Sequence, residues 1–489
     1  MPRRYRHDPD GARLPVKIDT TSNGEFTPQP LQTYEEIALE AAQRAAGQNA
    51  ARRGESRRDY MVGCSAVAAT LLALNDMAAA RGRTGGLYDL DPQTALDEDT
   101  ARAVLIGGEF IFDVQNHAVN PSGAWLQRAG GEPYRALARK NSPHTAEPGE
   151  YAYLSYVDGE HYIKDVFLDS DTDVAAMSVH ACDDQDEPLD IAEAAQIRTM
   201  VDRLGRGRLL LHGKALPNFP GDLDKITELK SRWDVAAWKL YTQLGPHPGA
   251  PGYRLDDEAV MTPFVERSRA LGVDIICAHK GLPFTPDNYA QSTARDVGAA
   301  ARLYPDMKFL IYHAGYEFGR TEGAYNPDDA SAGIDALVRS LIDNGIAPNT
   351  NVYAELGAIW RRTRSDPQEA AHCWGKLLKY VGEDNVLWGT DCTWAGSPQD
   401  QIQSFRAFQI SEDFQERYGY PALTPRLKAK IFGLNAARVY GVSLPDRSVE
   451  DALAQRRRDY RAEPDPSFVT HGPKTIAELA ALRGEGWSP

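Results

Sequence analysis

The chain has 489 residues, of which 42% are hydrophobic and 25% are charged, a balance typical of a globular protein rather than a disordered or fibrous one. Its formal net charge of −15 argues against a nucleic-acid partner, because phosphate binding depends on clustered Lys and Arg. We therefore expect a small molecule as the partner. The five cysteines are odd in number and lack CxxC spacing, so neither a disulfide framework nor a thiolate zinc site is expected.

The N-terminal part, residues 1–105, is predicted to form an extension that precedes the main domain. Residues 1–30 are rich in Pro, Asp and Arg and show no hydrophobic period. The following segment, TYEEIALEAAQRAA, predicts a helix with Thr33 and Glu36 as its capping box. The extension is therefore expected to combine a Pro- and Arg-rich arm with helices.

The pair Arg57 and Arg58 precedes an apolar, alanine-rich run that ends at Leu74, a pattern similar to a twin-arginine export signal. The pair lies far from the N-terminus, however, and it is followed by Asp59, where export signals usually avoid acid. We therefore favour a helix packed on the domain of a cytoplasmic protein, with export as the alternative. No run reaches the roughly eighteen uncharged apolar residues of a spanning helix, so no integral membrane segment is expected.

Between residues 106 and 445, short apolar runs alternate with amphipathic segments that predict helices, for example DLDKITELKSRW at residues 222–233. This alternation requires a parallel sheet, because a parallel crossover needs about a dozen residues or more and usually contains a helix. Eight such units match a (β/α)8 TIM barrel, and an open doubly wound sheet is the alternative. We favour the barrel, because polar side chains recur at the carboxyl ends of most runs and a barrel brings those ends together. The runs are 109–115, 174–180, 208–213, 236–241, 274–279, 308–313, 351–356 and 385–391.

Two segments interrupt or follow this alternation. The connection from His117 to Asp173 is far longer than a normal strand-to-helix loop, and we expect it to cover the barrel mouth and contact substrate. The C-terminal tail, residues 446–489, is charged and contains proline. It is expected to wrap the surface or to provide a contact in a homo-oligomer.

Three histidines and one aspartate stand at the ends of the apolar runs. His117 follows the first run, His279 ends the fifth, His313 the sixth and Asp391 the eighth. Imidazole and carboxylate are common ligands of zinc and similar ions, and a catalytic zinc site uses three or four protein ligands beside a water. Any one of these residues alone could be a structural core residue. Four of them at converging strand ends predict a divalent metal site.

The motifs around these residues resemble those of the amidohydrolase superfamily, in particular the amidohydrolase-related group (family 2) of metal-dependent hydrolases and decarboxylases. They are DVQNH in the first run, CAHKG and YHAG around the later histidines, and WGTD with the closing NAARVYG, which is the more specific pair. The resemblance covers about residues 109–441 and implies a TIM barrel. It also implies that His117, His279, His313 and Asp391 bind one divalent ion, zinc or alternatively manganese, with Asp391 and His279 catalytic.

The sequence departs from the family pattern at Gln115, where relatives usually have the first histidine of a His-x-His pair. An amide oxygen is a weaker, neutral donor for zinc, so the site is expected to bind metal less tightly, to use Gln115 as a hydrogen-bond partner, or to favour a harder ion such as Mn²⁺. Strand alternation places Gln115 on the same side as His117 and places Asn116 on the opposite side.

Other residues are predicted to surround the site. Lys239, Glu355 and Trp394 are the candidate substrate-binding residues. In some relatives a lysine of the fourth strand is carbamylated and bridges two metals. Because Gln115 replaces the first histidine of the first-strand pair, we do not expect a second metal here. Lys239 is therefore expected to anchor a substrate carboxylate or to pair with Glu355, and Trp394 to supply an apolar wall. His180 and His212 also end runs and are expected to pack around the site.

The predicted reaction is hydrolysis of an amide, lactone or related C–N or C–O bond of a small molecule. The metal would activate a water, and Asp391 would take the water's proton and pass it to the leaving group. Nonoxidative decarboxylation of an aromatic or unsaturated carboxylic acid on the same site is the alternative. A non-catalytic, degenerate barrel is a third interpretation, suggested by Gln115 and disfavoured by the four ligands that are present.

Overall fold

The computed structural model describes residues 14–18, 31–128, 135, 157–180, 182, 186–247, 249–283, 286–394, 396–445 and 452–462. Within these residues the strands are β1 Gly86–Tyr88, β2 Phe112–Asn116, β3 Val174–Met177, β4 Leu209–Ala215, β5 Ala237–Tyr241, β6 Ile275–His279, β7 Lys308–Tyr312, β8 Val352–Glu355, β9 Val386–Leu387 and β10 Phe408–Ile410.

Strands β2 to β9 form one parallel sheet in which each strand pairs with its neighbour in sequence. The two outer strands then meet, because Val114 donates a backbone hydrogen bond to Trp388 at 3.0 Å and Asp391 donates one to Gln115 at 2.9 Å. These bonds close the sheet into a ring. The predicted (β/α)8 barrel is confirmed, and the alternative of an open sheet is wrong.

Alternation along the strands separates two apolar layers. Trp238 of β5 points outward and packs on Phe264 of a surrounding helix, with ring centroids 6.4 Å apart. Ala237 of the same strand points inward, to a core that also contains Cys277 and residues of helix Asn435–Tyr440. That helix packs against the start of the strands and covers this end of the barrel. The carboxyl ends of the strands therefore form the mouth at the opposite end.

The longer helices between the barrel strands fall where the sequence predicts them. Helix Asp222–Trp233 coincides with the predicted segment DLDKITELKSRW. The α-helices of the described residues are Thr33–Arg53, Arg57–Met61, Cys64–Ala80, Glu98–Leu105, Gly159–Tyr162, Ile191–Val201, Asp222–Trp233, Glu258–Ala270, Tyr289–Ser292, Val297–Leu303, Gly333–Asp343, Ile359–Thr363, Pro367–Tyr380, Gln399–Ala407, Glu412–Tyr418, Pro425–Ala429, Asn435–Tyr440 and Ala452–Ala462.

The first helix, Thr33–Arg53, has its N-cap one residue before the predicted one. The N-cap is Gln32, whose backbone amide donates to the Glu35 carboxylate at 2.8 Å, so the predicted capping pair of Thr33 and Glu36 is wrong. Glu35 is favoured here because its carboxylate also binds Arg362 at 2.7 Å, which ties the helix to the barrel.

The apolar run behind Arg57 and Arg58 is a buried helix of the fold. It forms Cys64–Ala80, and most of its first eleven residues are buried against neighbouring elements. Arg57 donates to the backbone carbonyl of Gln43 at 2.8 Å. These contacts agree with a helix packed on the domain. No helix in the described ranges is both long and apolar enough to cross a membrane.

The N-terminal extension contacts the barrel in two further places. Strand β1 pairs antiparallel with β10, which follows the last barrel helix. Upstream, the Lys17 backbone amide donates to the carboxylate of Asp400 at 2.8 Å, and Arg364 forms an ion pair with the same carboxylate at 2.8 Å. All three side chains are buried. The segment around Lys17 is therefore part of the core of the fold.

The long connection and the C-terminal tail are described only in part. Residues 129–134 and 136–156, where most of the predicted cover of the mouth lies, fall outside the described residues. In the tail, helix Ala452–Ala462 packs on the segment before β3, with Arg457 bonded to Asp173 at 3.2 Å and Arg461 to Asp171 at 3.0 Å. This part of the tail lies along the barrel surface.

Candidate active site

The four predicted ligands lie at the mouth of the barrel. His279 is the last residue of β6, His117 and His313 directly follow β2 and β7, and Asp391 lies shortly after β9. All four side chains are at most 2% exposed. His313 and Asp391 have φ angles of 64° and 60°, a left-handed conformation that costs energy for residues with a Cβ and that is concentrated at functional sites.

His117 and Asp391 face each other directly. Nδ1 of His117 lies 3.0 Å from the backbone carbonyl of Ser178, which can only accept, so this nitrogen bears a proton. Nε2 of His117 lies 3.1 Å from Oδ1 of Asp391. A neutral His117 ring would present a lone pair to a carboxylate oxygen, and two acceptors at this distance repel. A cation bound at this place would therefore stabilise the arrangement.

His313 is oriented in the same way and is joined to Asp391 through Gln115. Its Nδ1 lies 2.9 Å from the carbonyl of Gly357, which places the proton on Nδ1 and a lone pair on Nε2. The amide nitrogen of Gln115 lies 3.4 Å from this Nε2 and donates to Oδ1 of Asp391 at 3.1 Å. Gln115 thus lies between two of the predicted ligands.

His279 packs against His313, with ring centroids 4.6 Å apart and rings nearly perpendicular. Its Nε2 lies 3.3 Å from the carbonyl of Leu282. The structure therefore brings all four predicted ligands into one connected cluster. Even so, in the part of the chain that the structure describes, no three His, Cys, Asp or Glu side chains are close enough together to form a preassembled metal cage. Their role as ligands stays a prediction.

The donor chemistry of the cluster nevertheless suits a divalent ion. Two imidazoles have their Nδ1 protons committed to backbone carbonyls, the arrangement that directs Nε2 toward a metal. Gln115 is fully buried, and its Oε1 has no hydrogen-bond partner among the described residues. A buried carbonyl without a donor is costly, and a cation would compensate it. Asn116 points away from this cluster, as predicted, and accepts from Tyr162 at 3.2 Å.

The predicted pair of Lys239 and Glu355 is replaced by other contacts. The Lys239 ammonium lies 3.8 Å from the centroid of the Tyr312 ring inside the barrel. The Glu355 carboxylate accepts hydrogen bonds from the backbone amides of His313, at 2.8 Å, and of Gly357. Burial raises the pKa of Glu355, against which nearby His313 and these amides act to lower it.

His180 and Trp394 form one wall beside His117. The His180 ring lies 5.0 Å from the His117 ring and 5.3 Å from Trp394, and all three side chains are buried. Trp394 is also 5.9 Å from His117. This is the aromatic wall expected of Trp394, although its contact with substrate stays a prediction.

His212 packs below the cluster. It lies 2.9 Å from the hydroxyl of Ser178 and 3.0 Å from that of Tyr440, and it stacks on the Tyr440 ring. Burial, assisted by the positive charge of Lys239, lowers the pKa of His212 to about 3. The ring is therefore neutral at physiological pH and has a packing role, as expected.

Two residues with a role in the site were not found from the sequence. Ser178 and Gly357 orient His117 and His313 through their backbone carbonyls. Every residue has such a carbonyl, so residue type gives no signal for this role. Only the glycine at 357, in a segment otherwise rich in larger side chains, could have indicated a close approach.

A comparison with protein families identifies a family model described as "Amidohydrolase" that matches residues 113–442. The match spans the barrel from β2 to the closing helix and includes all four candidate ligands. The chain belongs to this amidohydrolase family. A search of curated proteins finds no match.

Solved structures similar to this amidohydrolase have low sequence identity. They include an uncharacterised TIM-barrel protein from Bordetella bronchiseptica, with 13% identity, 68% of this chain and 99% of that chain covered, and a TM-score of 0.44. A 2,6-dihydroxybenzoate decarboxylase from Rhizobium has 15% identity, the same coverage of 68% and 99%, and a TM-score of 0.41. A dihydroxybenzoic acid decarboxylase from Polaromonas sp. JS666, solved with bound manganese, has 15% identity, 69% and 98% coverage, and a TM-score of 0.41.

Proposed function

We propose that this amidohydrolase is a metal-dependent hydrolase of an amide, lactone or related C–N or C–O bond in a small molecule. The supporting observation is the contact between His117 and Asp391, in which a ring nitrogen and a carboxylate oxygen face each other at 3.1 Å in a buried mouth. A divalent cation would compensate both acceptors, and such an ion would activate a water molecule for hydrolysis.

His117, His279, His313 and Asp391 would hold the ion, with a contribution from Gln115. We propose zinc, because imidazole and carboxylate donors suit it, with manganese as the alternative. Gln115 provides a neutral amide where a second first-strand imidazole would bind more strongly, so the ion would be held less tightly than by a full histidine set. A divalent ion held by these residues would supply Lewis-acid chemistry, that is, a lowered pKa for a water molecule and polarisation of a substrate carbonyl.

The protein's own residues would position the substrate and move the proton. Asp391 would accept a proton at its carboxylate and return it to the leaving group, since it lies at the centre of the cluster and is almost fully buried. Gln115 holds this carboxylate through its amide N–H. Trp394 would bound the substrate on one side and Lys239 would attract a substrate carboxylate, while burial of the mouth would exclude other water.

Three measurements on the purified protein test this proposal together. Elemental analysis should find about one divalent ion per chain, and a chelator should abolish activity. A mass-spectrometric screen of small amides, lactones and aromatic carboxylic acids should detect gain of water. Loss of CO2 instead would establish a decarboxylase, and absence of both metal and activity would establish a non-catalytic barrel.

The oligomeric state and the cellular location of the protein are a further part of the proposal. We expect a homo-oligomer in the cytoplasm, with a small molecule as its substrate. Light scattering on the protein as it elutes from a gel-filtration column gives the oligomeric state directly. A monomer at every concentration measured would contradict the expected homo-oligomer.

A further inference from the structure

We propose that Glu355 is a positioning residue, which fixes the tautomer and orientation of His313 instead of binding substrate. This inference takes one assumption from the proposed function, namely that His313 acts at the reacting centre. The geometry itself is independent of the reaction. Glu355 is the last residue of β8 and its side chain is fully buried.

The two carboxylate oxygens of Glu355 bind the two backbone segments that determine where the His313 ring lies. Oε1 accepts the backbone N–H of His313 at 2.8 Å, and Oε2 accepts the backbone N–H of Gly357. Gly357 in turn provides the carbonyl that receives the Nδ1 proton of His313 at 2.9 Å. One carboxylate therefore holds both the main chain of the histidine and the group that selects its tautomer.

The backbone at His313 needs such support. Its φ of 64° and that of Ala314, 49°, are left-handed conformations that are unfavourable for a residue with a Cβ. A hydrogen bond from the His313 amide to the Glu355 carboxylate offsets part of this cost, because it gives a buried N–H group its acceptor. Without it, the strand end could relax to an ordinary extended conformation and turn the ring away.

Two glycines make room for the carboxylate. A Cβ on Gly357 or on Gly389 would overlap with Oε2 of Glu355, and neither glycine has a positive φ that would require glycine for its own backbone. The reason for glycine at these two positions is therefore the close approach of Glu355. A Cβ on Gly357 would also meet Oε1 of Gln115, so Glu355 and Gln115 both occupy the space that this glycine leaves.

A glutamine at position 355 is the sharpest test. Its NH2 cannot accept from a backbone amide, so one of the two N–H groups would lose its partner while side-chain volume is kept. We expect the E355Q protein to fold, to lose the single Nδ1–H tautomer of His313, and to show kcat lowered ~10- to 100-fold with little change in KM, in the range found when groups that orient ligand side chains are removed.

The tautomer is read by long-range ¹H–¹⁵N NMR of the full-length protein labelled at histidine nitrogens, with His313 assigned from the spectrum of an H313Q protein. A mixture of Nδ1–H and Nε2–H forms in E355Q supports the proposal. An unchanged Nδ1–H signal in a folded E355Q protein overturns it. Because this readout needs no substrate and no added metal, it remains decisive if the protein proves not to be a hydrolase.

Two further variants separate positioning from stability. Gly389→Ala should displace Glu355 from the other side and give the same His313 signature if E355Q fails to fold. Asp222→Asn is the matched control, since Asp222 is a buried carboxylate that accepts the backbone amide of Leu216 at 2.7 Å away from His313. It should lower thermal stability and leave the His313 signal unchanged. A change of that signal in D222N equal to that in E355Q would also overturn the proposal.

Discussion

Nε2 of His117 lies 3.1 Å from Oδ1 of Asp391, a contact that joins the first and the last strands of the barrel. It forms only because hydrogen bonds between β2 and the segment after β9 close the sheet. The other ring nitrogen of His117 donates to the Ser178 carbonyl, so this contact places a second ring nitrogen and a carboxylate oxygen side by side at the centre of the mouth. Its removal should therefore affect chemistry more than folding.

Asp391→Asn should lower turnover by several orders of magnitude while the barrel stays folded. The substitution keeps the shape of the side chain but removes both a charged metal ligand and the group that transfers the proton. Steady-state turnover and a thermal unfolding curve, each compared with the unchanged protein, measure the two effects. Turnover within about tenfold of the original would assign the proton transfer to another residue.

Gln115→His should tighten metal binding by ~10- to 100-fold, because an imidazole is a stronger donor than an amide and the position already faces the cluster. Competition with a chromophoric chelator gives the dissociation constant for zinc. Gln115→Asn is the matched control, since it keeps the amide and shortens its reach. Equal zinc affinity of the original and Q115H proteins would place position 115 outside the coordination sphere.

His212→Gln should make the free energy of unfolding less sensitive to acid. The pKa of His212 is lowered from 6.5 to about 3 by burial and then by Lys239. Between these two values the unfolded chain binds a proton that the folded chain rejects, so the stabilisation present above pH 6.5 is lost as the pH falls toward 3. Urea unfolding at pH 7, 5 and 4 measures this slope.

The control for this acid effect is His161→Gln, since His161 is partly exposed and lies 3.0 Å from Asp158. That substitution should leave the steep loss of stability in acid in place. A similar acid slope in the H212Q protein and in the unchanged protein would show that His212 is protonated in the folded state or that other groups dominate the acid response.

Asp400→Asn should destabilise the fold by roughly 3 kcal/mol, because it leaves the buried cations of Lys17 and Arg364 without their shared counter-charge. Lys17→Met should cost about 1 kcal/mol, since Arg364 keeps its partner. Urea unfolding of both proteins gives the comparison. A D400N protein as stable as the original would show that the N-terminal segment is not part of the cooperative fold.

The barrel was predictable because its signal is local. Each apolar run predicts a strand that is buried on both faces, and each amphipathic segment predicts a helix packed against the sheet. Residues 222–233 are an example, since the predicted and the observed helix have the same bounds. The meeting of His117, His279, His313 and Asp391 at the mouth was also predictable, since all four stand at strand ends, while their role as metal ligands stays a prediction. The cap of the first helix was not, because Glu35 is selected by its distant contact with Arg362.

The sequence by itself determined the order of strands and helices, the residue types at the mouth and the inward direction of Gln115 and His117, because these depend on the short-range periods of helix and strand. Only the tertiary structure decided which side chains meet. An ion pair with Lys239 was one of two predicted arrangements for Glu355, whose carboxylate instead binds the amides of His313 and Gly357. Hydrogen bonds to backbone groups depend on where strand ends come together in space, and residue identity gives no measure of that distance.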